Sequence, residues 1–188
     1  MEVELDLRLI TVSEYHQMVE ARILTPKDRV ELIQGKIIHM SPIGSPHAHI
    51  IDVFTLLFIE KLGRKAVARV QNPVTLGEYS EPEPDLVLAK SPHGRYSHQH
   101  PGPEDILLVV EVASSSLRVD KEVKIPLYAK FGIPKVWLVD LEKEEIWVYS
   151  SPENNEYLNL EIIRRGESQQ LELPALSLEI SLKEIFTG

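Results

Sequence analysis

No cysteine occurs anywhere in the 188 residues. That excludes disulfides, thiolate-ligated zinc and a thiol nucleophile, and it suits a reducing cytoplasm. Positive charge is also short: 20 Lys and Arg stand against 29 Asp and Glu, a formal net charge of −9. A chain of that sign is not a general polyanion binder. Any contact with nucleic acid must use a local basic surface, or bound cations, against an unfavourable overall field. Tryptophan is scarce. Trp137 and Trp147 both sit in apolar runs and read as core, not as base-stacking platforms. No apolar run approaches the ~18 residues of a membrane-spanning helix. The first residues, MEVELDLRLITVSEYHQ, carry Glu2, Glu4 and Asp6 and no long apolar stretch, so no secretory leader is expected. What is present, 43% hydrophobic residues, is enough for one cytoplasmic domain over 1–188 with a sizeable core.

Periodicity fills in the elements. TVSEYHQMVEAR (11–22) predicts a short helix behind a Thr or Ser cap. RVELIQGKIIHMSP (29–42) predicts a hairpin about Gln34-Gly35. HAHIIDVFTLLFIEKLG (47–63) has a helical apolar stripe ended by Gly63. KAVARVQNPVTL (65–76) reads as one or two strands, PDLVLAK (84–90) as a buried strand, and SPHGRYSHQHPGPED (91–105) as a polar loop. ILLVVEVA (106–113) is the central strand. KEVKIPLYAKFG (121–132) is helical, with Pro126 imposing a kink or a helix proper from Ile125, and Gly132 closing it. Strand, charged turn and strand follow in 134–150, a further strand in 157–163, and a short helix from Ser181. Strand–helix–strand around 106–140 implies a right-handed crossover and partly parallel pairing. The class is α/β or α+β: one mixed sheet flanked by helices, with antiparallel strands added at both ends of the chain.

One residue contradicts its surroundings. Glu111 interrupts the apolar run Ile106–Val112. An ionised carboxylate there costs several kcal/mol unless it is paired or faces a wet cleft. Asp85 begins the preceding strand, and Lys124 lies on the following helix. If the two strands are neighbours, Asp85 and Glu111 converge and repel, and a divalent cation with hard oxygen ligands, Mg²⁺ or Mn²⁺, relieves the conflict. A nearby lysine can orient a water or stabilise charge on a phosphoryl oxygen.

Three stretches, VELIQGKIIHMSPIGSPHAHII, EPDLVL and VVEVASSSLRVDKEVKIPLYAKFGIPKVWLVD, together resemble the Uma2 family of endonucleases, within the PD-(D/E)XK restriction-endonuclease-like superfamily. The resemblance runs from about residue 11 to about 150. It implies that fold and Mg²⁺-dependent hydrolysis of phosphodiester bonds in DNA. It also implies Asp85 and Glu111 as metal-binding acids, with the Val112 backbone carbonyl as a further ligand and Glu31 as an acid joining through metal or water. His47 matches the family's histidine after Ser-Pro, with His49 as its competitor. The superfamily's usual lysine position is Ala113 here, and Lys124 is expected to reach the same space from the helix. Cutting both strands of a duplex from one site per chain calls for a homodimer, with the strands after 141 as candidate contacts. Ala113 also leaves open a catalytically inactive binding module on the same fold. A metal-dependent hydrolase of another phosphate ester is the third reading.

Plainer readings stand beside these. Asp85 can be a strand-start residue, Glu111 one half of an ion pair with a packed helix, and Lys124 a solvated helix residue. Glu31 can pair with Lys36 across the hairpin. His47 can simply cap its helix, and Asp120 reads as a helix N-cap. Ser114, Ser115 and Ser116 lack the Gly-x-Ser-x-Gly setting of a nucleophile and read as a turn. His93, His98 and His100 near Asp105 match no strict zinc spacing and read as a solvated loop. Lys61, Arg64, Lys65, Arg69, Arg118 and Lys121 are a solvated face, or contacts for phosphate.

Overall fold

The computed structural model describes residues 7–114, 116–173 and 176–186, without the side chains of His93, Leu176 and Leu178. Ser115 of the serine turn and the first six residues of the expected leader-free terminus lie outside the described residues.

The first helix, α1 (Val12–Glu20), starts where Thr11 and Glu14 close a reciprocal capping box. β1 (Val30–Ile33) and β2 (Lys36–His39) form the expected hairpin. Gln34 and Gly35 both have positive φ, 50° and 73°, as a two-residue turn with matching twist requires. Gly35 is demanded twice, since a Cβ there would lie 2.6 Å from the Leu9 Cβ. α2 (Ser45–Leu62) begins two residues before the expected start because Pro46 suits the first turn, where its missing N–H costs nothing.

A six-stranded sheet organises the rest, in the order β3 (Ala66–Val70), β4 (Leu86–Lys90), β5 (Ile106–Ala113), β6 (Lys135–Asp140), β7 (Glu145–Glu153), β8 (Glu156–Arg164). Only β5 and β6 are parallel, joined by the helical crossover. The stretch 71–76 is a correction: it forms no strand. Val74 and Leu76 are fully buried, but their N–H groups bond to the Pro82 and Ser80 carbonyls in loops. β9 (Ser168–Leu173) and β10 (Leu176–Ser181) pair as a separate hairpin, followed by α5 (Leu182–Ile185).

The two faces of the sheet bury different layers. On one, Phe54 and Phe58 of α2 pack on Trp137 of β6, with ring centroids 5.7–6.3 Å apart. On the other lie the crossover helix and the β1–β2 hairpin, over Val109, Ala113 and Leu138. The crossover is α3 (Leu117–Val119), a stretch of wide π-type turns over Asp120–Lys124, and α4 (Ile125–Lys130). Pro126 explains the widening. Its ring crowds the carbonyl four residues back and it donates no hydrogen bond, so Ile125 N–H reaches five residues back to the Asp120 carbonyl. The expected kink is therefore a local unwinding. Asp120 is not an N-cap: it lies inside the helical crossover and is buried.

Candidate active site

The site assembles where β4 stops short of β5. Leu86 pairs with Val110, and beyond it the chain at Pro84 offers no N–H. The Val112 N–H, left without a strand partner on that side, donates to Asp85 Oδ2 at 2.8 Å. A strand residue's N–H and C=O leave on the same edge, so the Val112 carbonyl faces the same space. His47, in the first turn of α2, meets the same Asp85 oxygen through Nε2 at 3.1 Å. Burial of the ring opposes its protonation. The hydrogen bond and charge of Asp85, with the Val112 carbonyl and the Asp120 charge, overcome that and raise the His47 pKa. His49 is exposed and takes no part.

Behind this pair sits a buried ionic cluster. Lys124 Nζ lies 3.2 Å from Glu31 Oε1, 3.4 Å from Glu111 Oε1 and 3.9 Å from Asp120 Oδ1. Glu31 Oε2 accepts the Glu83 N–H at 3.1 Å. Glu31 stands opposite Ile38 in the hairpin, while Lys36 is exposed opposite Ile33, so the cross-strand pair is replaced by Lys124. The Tyr128 hydroxyl donates to Glu111 Oε1 at 2.5 Å. All four charged residues are buried.

Three carboxylates around one ammonium do not balance. Burial pushes Glu111 up to about 8, against the lowering pull of Lys124 and with the Asp120 and Asp85 charges adding to it. Asp120 is raised for the same leading reason. Lys124 moves the other way from what burial alone would do: the charges of Glu111, Glu31 and Asp120 hold its proton well above the ordinary lysine range. Glu83, half-buried beside Glu31, is also raised, mainly by desolvation.

These groups line one cleft of about 180 Å³. Glu31, His47, Asp85, Glu111, Val112 and Lys124 all border it, so the six residues singled out in the sequence come together. The sequence reading missed Tyr128 and the inward role of Asp120. Their signal was present: Asp120, Lys124 and Tyr128 recur every four residues, one face of a helix. Ser114 and Ser116 border the cleft but form a bend and a turn. Trp137 and Trp147 are core, as read. His98 and His100 border a separate open cleft, where Arg69 approaches His100 Nδ1 at 3.3 Å. Lys61, Arg64 and Lys65 are exposed, Arg118 is paired with Glu122, and Lys121 lies over the Trp147 ring.

The donor set suits a hard divalent cation. It offers carboxylate and carbonyl oxygens, negative charge in excess of the one lysine, and a buried His47 Nδ1 without a hydrogen-bond partner. Among the described residues, no three His, Asp or Glu side chains are already arranged around one ion position. The ammonium of Lys124 stands between Glu31 and Glu111.

Comparison with known proteins decides the family. The Uma2 profile, described as "Putative restriction endonuclease", matches residues 12–183. The chain belongs to the Uma2 family. A solved structure, "a putative nuclease belonging to DUF820 from Anabaena variabilis ATCC 29413", superposes with a TM-score of 0.69 at 21% identity, covering 94% of this chain and 97% of that one. At that identity the likeness carries the fold. No curated protein matches the chain. Among the described residues, no helix of this Uma2 protein is long and apolar enough to cross a membrane.

Proposed function

We propose that this Uma2 protein is a cytoplasmic endonuclease that hydrolyses phosphodiester bonds in DNA with Mg²⁺ or Mn²⁺. The observation that carries the reading is the convergence of Glu31, His47, Asp85, Glu111 and Lys124 on one cleft from five separate segments. Asp85, Glu111 and the Val112 carbonyl would hold the cation, with Glu31 joining directly or through water. A bound cation supplies Lewis acidity: it polarises a phosphoryl oxygen and lowers the pKa of an attacking water.

The chain's own groups supply the rest. The Val112 N–H and His47 fix the orientation of Asp85. Lys124 keeps its proton too firmly to act as a base, so its part is to stabilise negative charge developing on the phosphate. The proton of the attacking water goes to a neighbouring carboxylate. Tyr128 holds the orientation of Glu111. Since one site cuts one strand, the reading includes a second copy of the chain for duplex cleavage.

The test is calorimetric titration of Mn²⁺ into wild type, Asp85→Ala and Glu111→Ala, with and without DNA, beside cleavage of supercoiled and single-stranded DNA. Binding and cleavage by wild type, lost in both folded variants, supports the reading. A wild type that binds no cation even with DNA present overturns it.

A second reading has its own observation. Lys124 already satisfies Glu31 and Glu111 as an ion, and Ala113 fills the superfamily's lysine position, fully buried. Cation-independent DNA binding without cleavage would select this inactive binding module. Turnover of a model phosphodiester without DNA affinity would select a hydrolase of smaller phosphate esters.

A further inference from the structure

β8 ends the six-stranded sheet, and its outer edge has no strand partner among the described residues; at its end, Glu167 accepts the Arg164 N–H through its side chain and donates its own N–H to the Arg164 carbonyl. Open edges are usually blunted by Lys, Pro or a bulge. The nine residues EYLNLEIIR contain neither Lys nor Pro, and their pairing to β7 keeps one register on both sides of an interruption at Leu158, opposite Ser151 with φ 60°. Three large aliphatics at alternate positions face solvent instead: Leu158 is 64% exposed, Leu160 49% and Ile162 38%. Alternation places them on one side of the strand.

The order of residues is self-complementary about Leu160. Set antiparallel to itself on a two-fold axis there, the strand brings Glu156 opposite Arg164 of the partner subunit, Leu158 opposite Ile162, Asn159 opposite Glu161, and Leu160 opposite its own copy. Opposite charges meet at both ends, and aliphatics meet throughout the middle. Sliding the pair by two residues sets Glu156 against an Ile, or Arg164 against a Leu, and loses both charge pairs, so the register is specified. Arg164 Nε already lies 3.9 Å from Glu145 Oε2 within the same subunit, a long ion pair that leaves the rest of its exposed guanidinium for Glu156 of the partner subunit.

We propose that β8 is a homodimer seam, through which two copies join their sheets antiparallel into one twelve-stranded sheet. The seam assigns a surface to the second copy that the nuclease reading calls for and rests on that reading only there; the pairing itself does not depend on cleavage. A single strand seam falls at the small end of specific interfaces, below about 1,200 Å² in total, so the dimer is reversible.

The experiment is sedimentation velocity across a concentration series of wild type, Leu160→Arg, Glu156→Arg, Arg164→Glu and the double variant Glu156→Arg with Arg164→Glu. Circular dichroism checks each fold. Wild type is expected to dimerise with concentration. Leu160→Arg, which sets like charges on the axis, abolishes the dimer. Each single reversal weakens it about tenfold or more, because both symmetry-related pairs turn repulsive. The double reversal restores it. A wild type monomeric throughout, a dimer indifferent to Leu160→Arg, or a double variant no tighter than the singles overturns the proposal. DNA cleavage, measured on the same samples, fails or survives separately, so an inactive site does not pass for a missing seam.

Discussion

The two faces of β5 bury side chains to the same depth with opposite chemistry. On one, Val110 and Val112 lie in a layer of Phe54, Phe58 and Trp137. On the other, Glu111 lies against Lys124, Tyr128 and the carboxylates of Glu31 and Asp120. Burial lowers the energy of the first layer simply by removing apolar surface from water. In the second it raises energy that pairing only partly offsets, since three acids share one lysine. A single strand thus carries the fold's cohesion on one side and a charge imbalance on the other.

The comparison can be broken from either side. The largest effect belongs to the apolar face: Phe58→Ala should cost about 3–5 kcal/mol in denaturant unfolding while leaving Mn²⁺ titration unchanged. Lys124→Met, on the ionic face, should cost about 3 kcal/mol at pH 8, because it leaves acids buried without a counter-charge. The loss should shrink at pH 5, where those acids take up protons, and unfolding curves at the two pH values test this.

Glu111→Gln sharpens the contrast further. Folded Glu111 titrates at about 8, above its ordinary 4.5, so between those values the fold holds a proton that the unfolded chain has released. Metal-free wild type should therefore lose stability as pH rises from 4.5 through 8. Glu111→Gln should remove that slope and gain about 1 kcal/mol at pH 9, while cation binding disappears. In wild type, Mn²⁺ must displace the same proton. Its affinity should climb about tenfold per pH unit below 8 and level off above. The smallest effect is that of Tyr128→Phe. It removes a hydrogen bond worth about 1 kcal/mol, and because that bond lowers the Glu111 pKa, the midpoint of the affinity curve should move above 8.

Much of this was legible in the sequence, and what was not has physical causes. The hairpin, α2 and β5 announce themselves because turn chemistry and periodicity agree there with burial. Residues 71–76 misled because Val74 and Leu76 are as buried as strand residues, yet their backbone bonds go to loops; apolarity reports depth, not pairing. β9 was missed because SQQLEL buries only Leu171 and Leu173. At the site, Asp85 and Glu111 stood out as acids beside or within apolar runs. Asp120 did not, because an acid near a helix start has an ordinary explanation in capping. Tyr128 looked like any apolar helix residue, since nothing in a tyrosine's sequence position tells which way its hydroxyl points.

The wide turns of the crossover have a consequence for the length of the chain. Each residue advances an α-helix by roughly 100°, and a π-turn is a place where one extra residue has been absorbed without moving what lies on either side. Deleting Val123 would let the helix rewind to the ordinary phase while Asp120 on one side of the turn, and Lys124 and Tyr128 on the other, keep their places. Asp120 and Lys124, four residues apart here, would then stand three apart, a spacing that still shares a helical face. The carboxylate of Asp120 is thus held by the face it shares with Lys124, not by the count of residues between them. Relatives one residue shorter in this turn would carry the same acids, at a different spacing, in the same cleft.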